Sequence, residues 1–199
     1  MAMCISLAMH WQHFSKDLMS MHVWRQTQTQ STINNFYEEN MNILHPTRND
    51  RGNTDGLFRM EFPLLQWLIA CSYFIFGKSI LVTRIFMFIV SLFNIAGMYR
   101  LVRSVFQNEM IAVFAAWAFT FSPSFFYHSF NPMPDDLALC LSIWGIAFFF
   151  MWAKNKNKLL LIVSGLFLAL GTLCKLPFVI YFLIPFIWML RRRDAKLFD

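Results

Sequence analysis

The stretch Asp135-Asp136-Leu-Ala-Leu-Cys-Leu-Ser-Ile-Trp-Gly-Ile-Ala-Phe-Phe-Phe-Met-Trp152 decides the fold. Two acids open it, an uncharged apolar run follows, and Lys154, Lys156 and Lys158 close it. The apolar residues form a block rather than a one-sided stripe, which is the pattern of a membrane span. A charge at the centre of a bilayer costs about 2.5–3.5 kcal/mol on insertion scales. Both charged ends therefore belong at interfaces, and the acid pair lies where water, metal or substrate can meet it.

Composition points the same way. The chain has 199 residues, 57% of them hydrophobic and 14% charged, against roughly 25% charge in an ordinary soluble domain. The net charge of +6 does not indicate nucleic acid, because the basic residues cluster at the ends of apolar blocks, where they orient a membrane protein. Cys71, Cys140 and Cys174 lie inside apolar segments and Cys4 stands alone, so no disulfide or metal spacing emerges.

Working outward, the sequence predicts an all-α, polytopic transmembrane helix bundle with five spans, over 80–99, 110–130, 137–152, 159–174 and 176–190. Some have only 15 or 16 core residues against the ~20 usually needed, but flanking lysines snorkel and polar end residues extend the helices. Arg100/Arg103, Lys154/Lys156/Lys158 and Arg191–Arg193 are separated by two spans each, so all three clusters share one face. The positive-inside rule makes that face cytoplasmic and the tail 191–199 a cytoplasmic tail. Eight of the eleven acids, among them Asp17, Glu61, Asp135 and Asp136, then fall on the opposite face.

The block 62–77 is short, begins with Phe62-Pro63 and contains Gln66, Ser72 and Tyr73. Spanning would invert every later segment, so it reads as a helix in the outer interface, within an outer loop covering 15–79. Residues 1–14 are uncharged and too short to cross. They lack the basic start and cleavage site of a signal peptide and read as the outer end of a first span. Both ends suggest part of a larger membrane protein.

The outer loop is the chemically rich segment. Trp24-Arg25-Gln26 reads either as a headgroup anchor or as a phosphate and sugar contact, since Arg offers a planar fork of donors and Trp a stacking face. Asp135-Asp136 beside Pro134 can cap a helix, but a cap needs only one acid, which favours a functional role. Arg84, inside the outer end of an apolar span, and Lys175, between two spans, either snorkel or meet an anionic headgroup. His10, His13, His22, His45 and His128 show no metal-ligand spacing and read as interfacial residues. There is no Gly-rich phosphate loop and no Ser-His-Asp pattern, which argues against a nucleotide-dependent enzyme of soluble type.

The order of these motifs resembles the N-terminal part of bacterial integral-membrane glycosyltransferases. The carrying residues are His22-x-Trp24-Arg25-Gln26, Asn35-Phe36-Tyr37, Glu61-Phe-Pro63, the Arg84-bearing span and Pro134-Asp135-x-Leu137. That family is related to dolichyl-phosphate-mannose protein mannosyltransferases and lipid A aminoarabinose transferases, with the membrane fold called GT-C. The resemblance implies transfer of a sugar from a polyprenyl-phosphate donor to a lipid, glycan or protein acceptor. It places the reaction on the periplasmic or lumenal side of a cell membrane that the chain crosses several times. It implies catalytic acids at Asp135 and Glu61, and lipid-phosphate contacts at Arg84 and Lys175. Trp24, Arg25, Gln26, Gln28 and Asp136 complete the implied substrate-binding set. Many relatives carry Asp where this chain has Gln28, so Asp17 stands in as the candidate base. If Asp135, Asp136 and Glu61 converge, their repulsion calls for a divalent metal, on Glu61 and Asp135, or for a raised pKa.

Two other readings compete. A transporter component predicts ionisable residues deep in several spans, and the span interiors here are nearly free of them. A non-catalytic membrane subunit accords with the missing Asp at position 28.

Overall fold

The computed structural model describes residues 2–18, 21–49, 52, 54–58 and 61–192. Its helices are α1 (Ala2–His10), α2 (Val23–Glu38), α3 (Leu64–Phe76), α4 (Ile80–Phe106), α5 (Glu109–Thr120), α6 (Pro123–His128), α7 (Pro134–Asn155), α8 (Lys158–Cys174) and α9 (Leu183–Arg192). Short 3-10 segments cover Trp11–His13 and Leu176–Phe182, and no strand forms among the described residues. The tail beyond Arg192 lies outside the described residues, as do Asp50, Arg51 and Arg59.

α4 and α7, with 27 and 22 residues, are long and apolar enough to cross a membrane. At 1.5 Å per residue they span about 40 and 33 Å, against a hydrocarbon core of about 30 Å. α3, α5, α8 and α9 are apolar but shorter. Side-chain caps set several starts: Ser79 accepts from the Leu81 amide, Asn108 from Ile111 and Asn157 from Leu159. Each satisfies an amide that the first helical turn leaves without a partner.

Lipid offers no hydrophobic drive between helices, so close packing and hydrogen bonds must hold α4, α7 and α8 together. Small residues allow the approach. A Cβ added at Gly145 would lie 2.8 Å from Leu168, and one at Gly171 would lie 2.9 Å from the Ser142 hydroxyl. Ser164 Oγ donates to the Gly145 carbonyl at 2.7 Å, Trp144 Nε1 to the Phe93 carbonyl at 3.0 Å and Asn94 Nδ2 to the Asp136 carbonyl at 3.1 Å.

Two predicted helices are interrupted. The run 110–130 ends as α5 at Thr120 and resumes as α6 at Pro123. Ser122, preceding the proline, is extended, because the ring clashes with helical geometry at the preceding residue. The run 176–190 starts in 3-10 form around Pro177 and becomes α-helical only from Leu183. The block 62–77 forms α3, 13 residues or about 20 Å long, which buries Leu65, Ile69, Ala70 and Tyr73 and exposes Phe74, Ile75 and Phe76. A closed ring of side chains ties it to α2 and α4: Gln30 Nε2 donates to Tyr73 Oη (2.8 Å) and Thr83 Oγ1 to Gln30 Oε1 (3.1 Å), while the two hydroxyls meet at 2.5 Å.

The basic clusters gather at one end of the bundle. Arg100, Arg103 and Lys154 line a common gap there. Trp188 of α9 packs on Phe149 and Trp152 near the same end of α7, which carries Arg191 toward it. Asp135, Lys175 and Glu61 lie at the opposite end.

Candidate functional site

Pro134 opens α7 and sets Asp135 and Asp136 in its first turn. Asp136 turns inward, 6% exposed, with Oδ2 lacking any hydrogen-bond partner among the described residues, while Asn94 of α4 holds its carbonyl. Asp135 is 41% exposed and stands 3.5 Å from Lys175 Nζ. Lys175 is the extended residue that ends α8, and its Nζ donates to Glu61 Oε1 at 2.8 Å. The Phe62 amide bonds the Leu173 carbonyl at 3.0 Å, which fixes the Glu61 segment against that helix end. Arg25, at the start of α2, pairs with the other Glu61 oxygen. An unbroken chain results: Arg25, Glu61, Lys175, Asp135. Glu61 is its most enclosed carboxylate, 12% exposed.

These groups line a cleft of about 730 Å³ that also takes in Trp24, 62% exposed, and His22 and His128. The two imidazoles lie 6.0 Å apart, and His128 Nδ1 is buried without a partner among the described residues. Burial pushes the His128 pKa below its ordinary value; neighbouring His22 adds to this and Asp135 partly offsets it. His22 itself has a left-handed backbone, φ 58°, at the start of α2, an uncommon conformation for a side-chain-bearing residue.

Six predicted site residues therefore share one cleft: Trp24, Arg25, Glu61, Asp135, Asp136 and Lys175. Four do not join them. Gln26 is fully buried and donates to the Met21 carbonyl at 3.0 Å, which shapes the turn before α2. Gln28 keeps its buried Oε1 away from the cleft, without a partner among the described residues. Asp17 and Arg84 line a separate cavity of about 360 Å³ beside Lys16 and Asn131. There Arg84 is 3% exposed and donates to the Lys16 carbonyl (2.9 Å), the Asp17 carbonyl (2.8 Å) and Asn131 Oδ1 (3.2 Å), with its guanidinium 5.0 Å above the Phe130 ring. It clamps loops; the Asp17 carboxylate is not its partner in these bonds. The sequence reading missed His22 and His128 as cleft residues, although His22 stands two positions before Trp24.

A divalent metal on Glu61 and Asp135 does not fit this arrangement. Both Glu61 oxygens already face cations, and Lys175 occupies the position between the two carboxylates. Among the described residues no group of three or more His, Cys, Asp or Glu side chains is placed to hold a metal. Between Glu61 and Asp135 the expected repulsion is relieved by Arg25 and Lys175; Asp136, which bonds neither cation, is instead pushed well above the ordinary carboxylate range, first by burial and then by the neighbouring Asp135. Chemically, the cleft offers two cations that can meet an anion, a carboxylate accessible to a hydroxyl, and an aromatic face.

A helical bundle with two helices long and apolar enough to cross a membrane and a charged cleft at one end defines a polytopic membrane protein with a polar site at one end of the bundle. Residues 61–197 match the dolichyl-phosphate-mannose-protein mannosyltransferase family, and the chain belongs to it. It is thus a membrane-integral member of a glycosyltransferase family. No curated protein and no solved structure matches the chain.

Proposed function

We propose that the cleft transfers a sugar from a polyprenyl-phosphate donor to a hydroxyl acceptor on the periplasmic face. The single observation that carries the reading is the Arg25–Glu61–Lys175–Asp135 chain, which sets two cations beside one accessible carboxylate. The donor phosphate docks against Lys175 and Arg25. Its hydrocarbon lies along an apolar groove of about 410 Å³, lined by Leu44, Phe62, Leu173 and Leu176, that shares Glu61 with the cleft. Trp24 offers a stacking face to the sugar.

Asp135 takes the proton of the acceptor hydroxyl as its oxygen attacks the anomeric carbon. The bond from that carbon to the phosphate oxygen breaks, and the lipid phosphate leaves with the electron pair toward Lys175 and Arg25. Glu61 holds both cations at one spacing and is a positioning residue. The basic clusters at the far end support the sidedness through the positive-inside rule.

Transfer of labelled sugar from a polyprenyl-phosphate donor, in membranes carrying the protein, tests this reading. Asp135→Asn should lower the transfer rate by about 10²–10⁴-fold, the usual contribution of a positioned proton acceptor, with membrane levels unchanged. Full activity in that variant would remove Asp135 from the mechanism.

A further inference from the structure

At the basic end of the bundle α4 and α7 part. Their contact is tight at Gly97, where an added Cβ would lie 2.9 Å from Ile143 and Trp144. Beyond it a gap of about 270 Å³ opens, lined by Arg100, Arg103 and Ser104 of α4 and by Met151, Lys154 and Asn155 of α7. Arg103 is engaged, with Glu109 at 2.7 Å and the Tyr99 hydroxyl at 3.2 Å. Arg100 and Lys154 have no hydrogen-bond or ion-pair partner among the described residues, and no acid lines the gap. Cations at helix C-termini complement the helix dipoles, and that alone requires no cavity. Here two free cations face one another across a space at the end of two membrane-crossing helices. Phe150 and Met151 in the lining supply apolar surface beside them.

We propose that this gap binds the phosphodiester headgroup of an anionic phospholipid in the leaflet at the basic end. The phosphate sits between Arg100 and Lys154, and the glycerol and first methylenes lie on Phe150 and Met151. Basic pockets between membrane helices take such headgroups because the interface leaves the charges only partly screened. The site is remote from the cleft and does not depend on the transfer reaction.

The test uses the full chain purified in a neutral detergent. Short-chain phosphatidylglycerol, short-chain phosphatidylcholine and inorganic phosphate are titrated, and binding is read as a shift of the melting midpoint. Phosphatidylglycerol should raise the midpoint, and the other two should not at the same concentration. Arg100→Gln and Lys154→Gln should each weaken phosphatidylglycerol binding by about five-fold, and Arg100→Lys should preserve it. Unchanged binding in the double glutamine variant overturns the assignment. An equal response to phosphatidylcholine overturns it by assigning the shift to the acyl chains, and an equal response to inorganic phosphate overturns it in favour of a free anion. Should the double variant fail to fold, a salt titration of phosphatidylglycerol binding to the unaltered protein decides: binding must weaken as salt rises, and salt-insensitive binding rejects the site.

Discussion

Arg84 and Lys175 each stand where an apolar helix meets the polar mouth, and each has acids nearby in sequence or space. Arg84 commits its donors to two backbone carbonyls and an asparagine side chain, and is almost wholly enclosed. Lys175 points at two carboxylates in an open cleft. A cation held by carbonyl oxygens serves the fold, since those acceptors are fixed and carry no net charge. A cation shared between carboxylates can change partners when an anion arrives, because neither pair is enclosed enough to be irreplaceable. Both are cations at a helix end; the acceptors and the enclosure differ, and they separate a clamp from a candidate binding site.

Exchanging the two roles is the harshest test of that contrast. Arg84→Ala takes the donor from the buried Asn131 side chain and from two part-buried carbonyls and should cost about 2–4 kcal/mol of stability, seen as loss of folded protein in detergent. Donor affinity per folded molecule should stay near that of the unaltered chain. Lys175→Gln should do the reverse, with donor affinity lower by about 10- to 100-fold and little change in melting. If Arg84→Ala weakens donor binding more than Lys175→Gln does, the contrast fails.

Much of this arrangement was legible in the sequence, for a simple reason: charge placement in an apolar chain is costly, so each charge marks an interface. Asp135, Glu61, Lys175 and Arg25 could be assigned to one face on that ground, and the structure brings them into one cleft. Arg84 misled because its partners are carbonyls of Lys16 and Asp17, and a backbone acceptor leaves no trace in composition. The pairing of His22 with His128 joins segments distant in sequence, beyond the reach of any helical period. The break at Pro123 was visible as a residue, but the surrounding hydropathy concealed it.

Glu61 sharpens the comparison from the other side. In Glu61→Gln the amide keeps the size of the side chain but loses the charge that holds Arg25 and Lys175 together. Transfer should fall by about 10-fold or more, chiefly through weaker positioning of the phosphate. Glu61→Asp, which restores charge at shorter reach, should recover part of it. Equal loss in both variants would mean that the spacing of the cations, rather than their neutralisation, is what Glu61 provides.

The smallest effect belongs to His128, the cleft residue with neither a carbonyl clamp nor a carboxylate bond. Its folded-state pKa is depressed by burial, so folding favours the neutral ring. The sign follows from linkage: above the ordinary histidine value near 6.5 the ring is neutral in both states, and this stabilisation is fully present. As the pH falls below it, the unfolded chain takes up the proton first and the stabilisation is lost toward the lower folded value. Melting midpoints of the unaltered chain should therefore decline more steeply between about pH 7 and 5 than those of His128→Gln, whose amide has no proton to bind in this range. Parallel slopes would mean that the imidazole is as well solvated in the cleft as in the unfolded chain. The His22–His128 lip would then belong with the open, exchangeable side of the contrast that Lys175 represents.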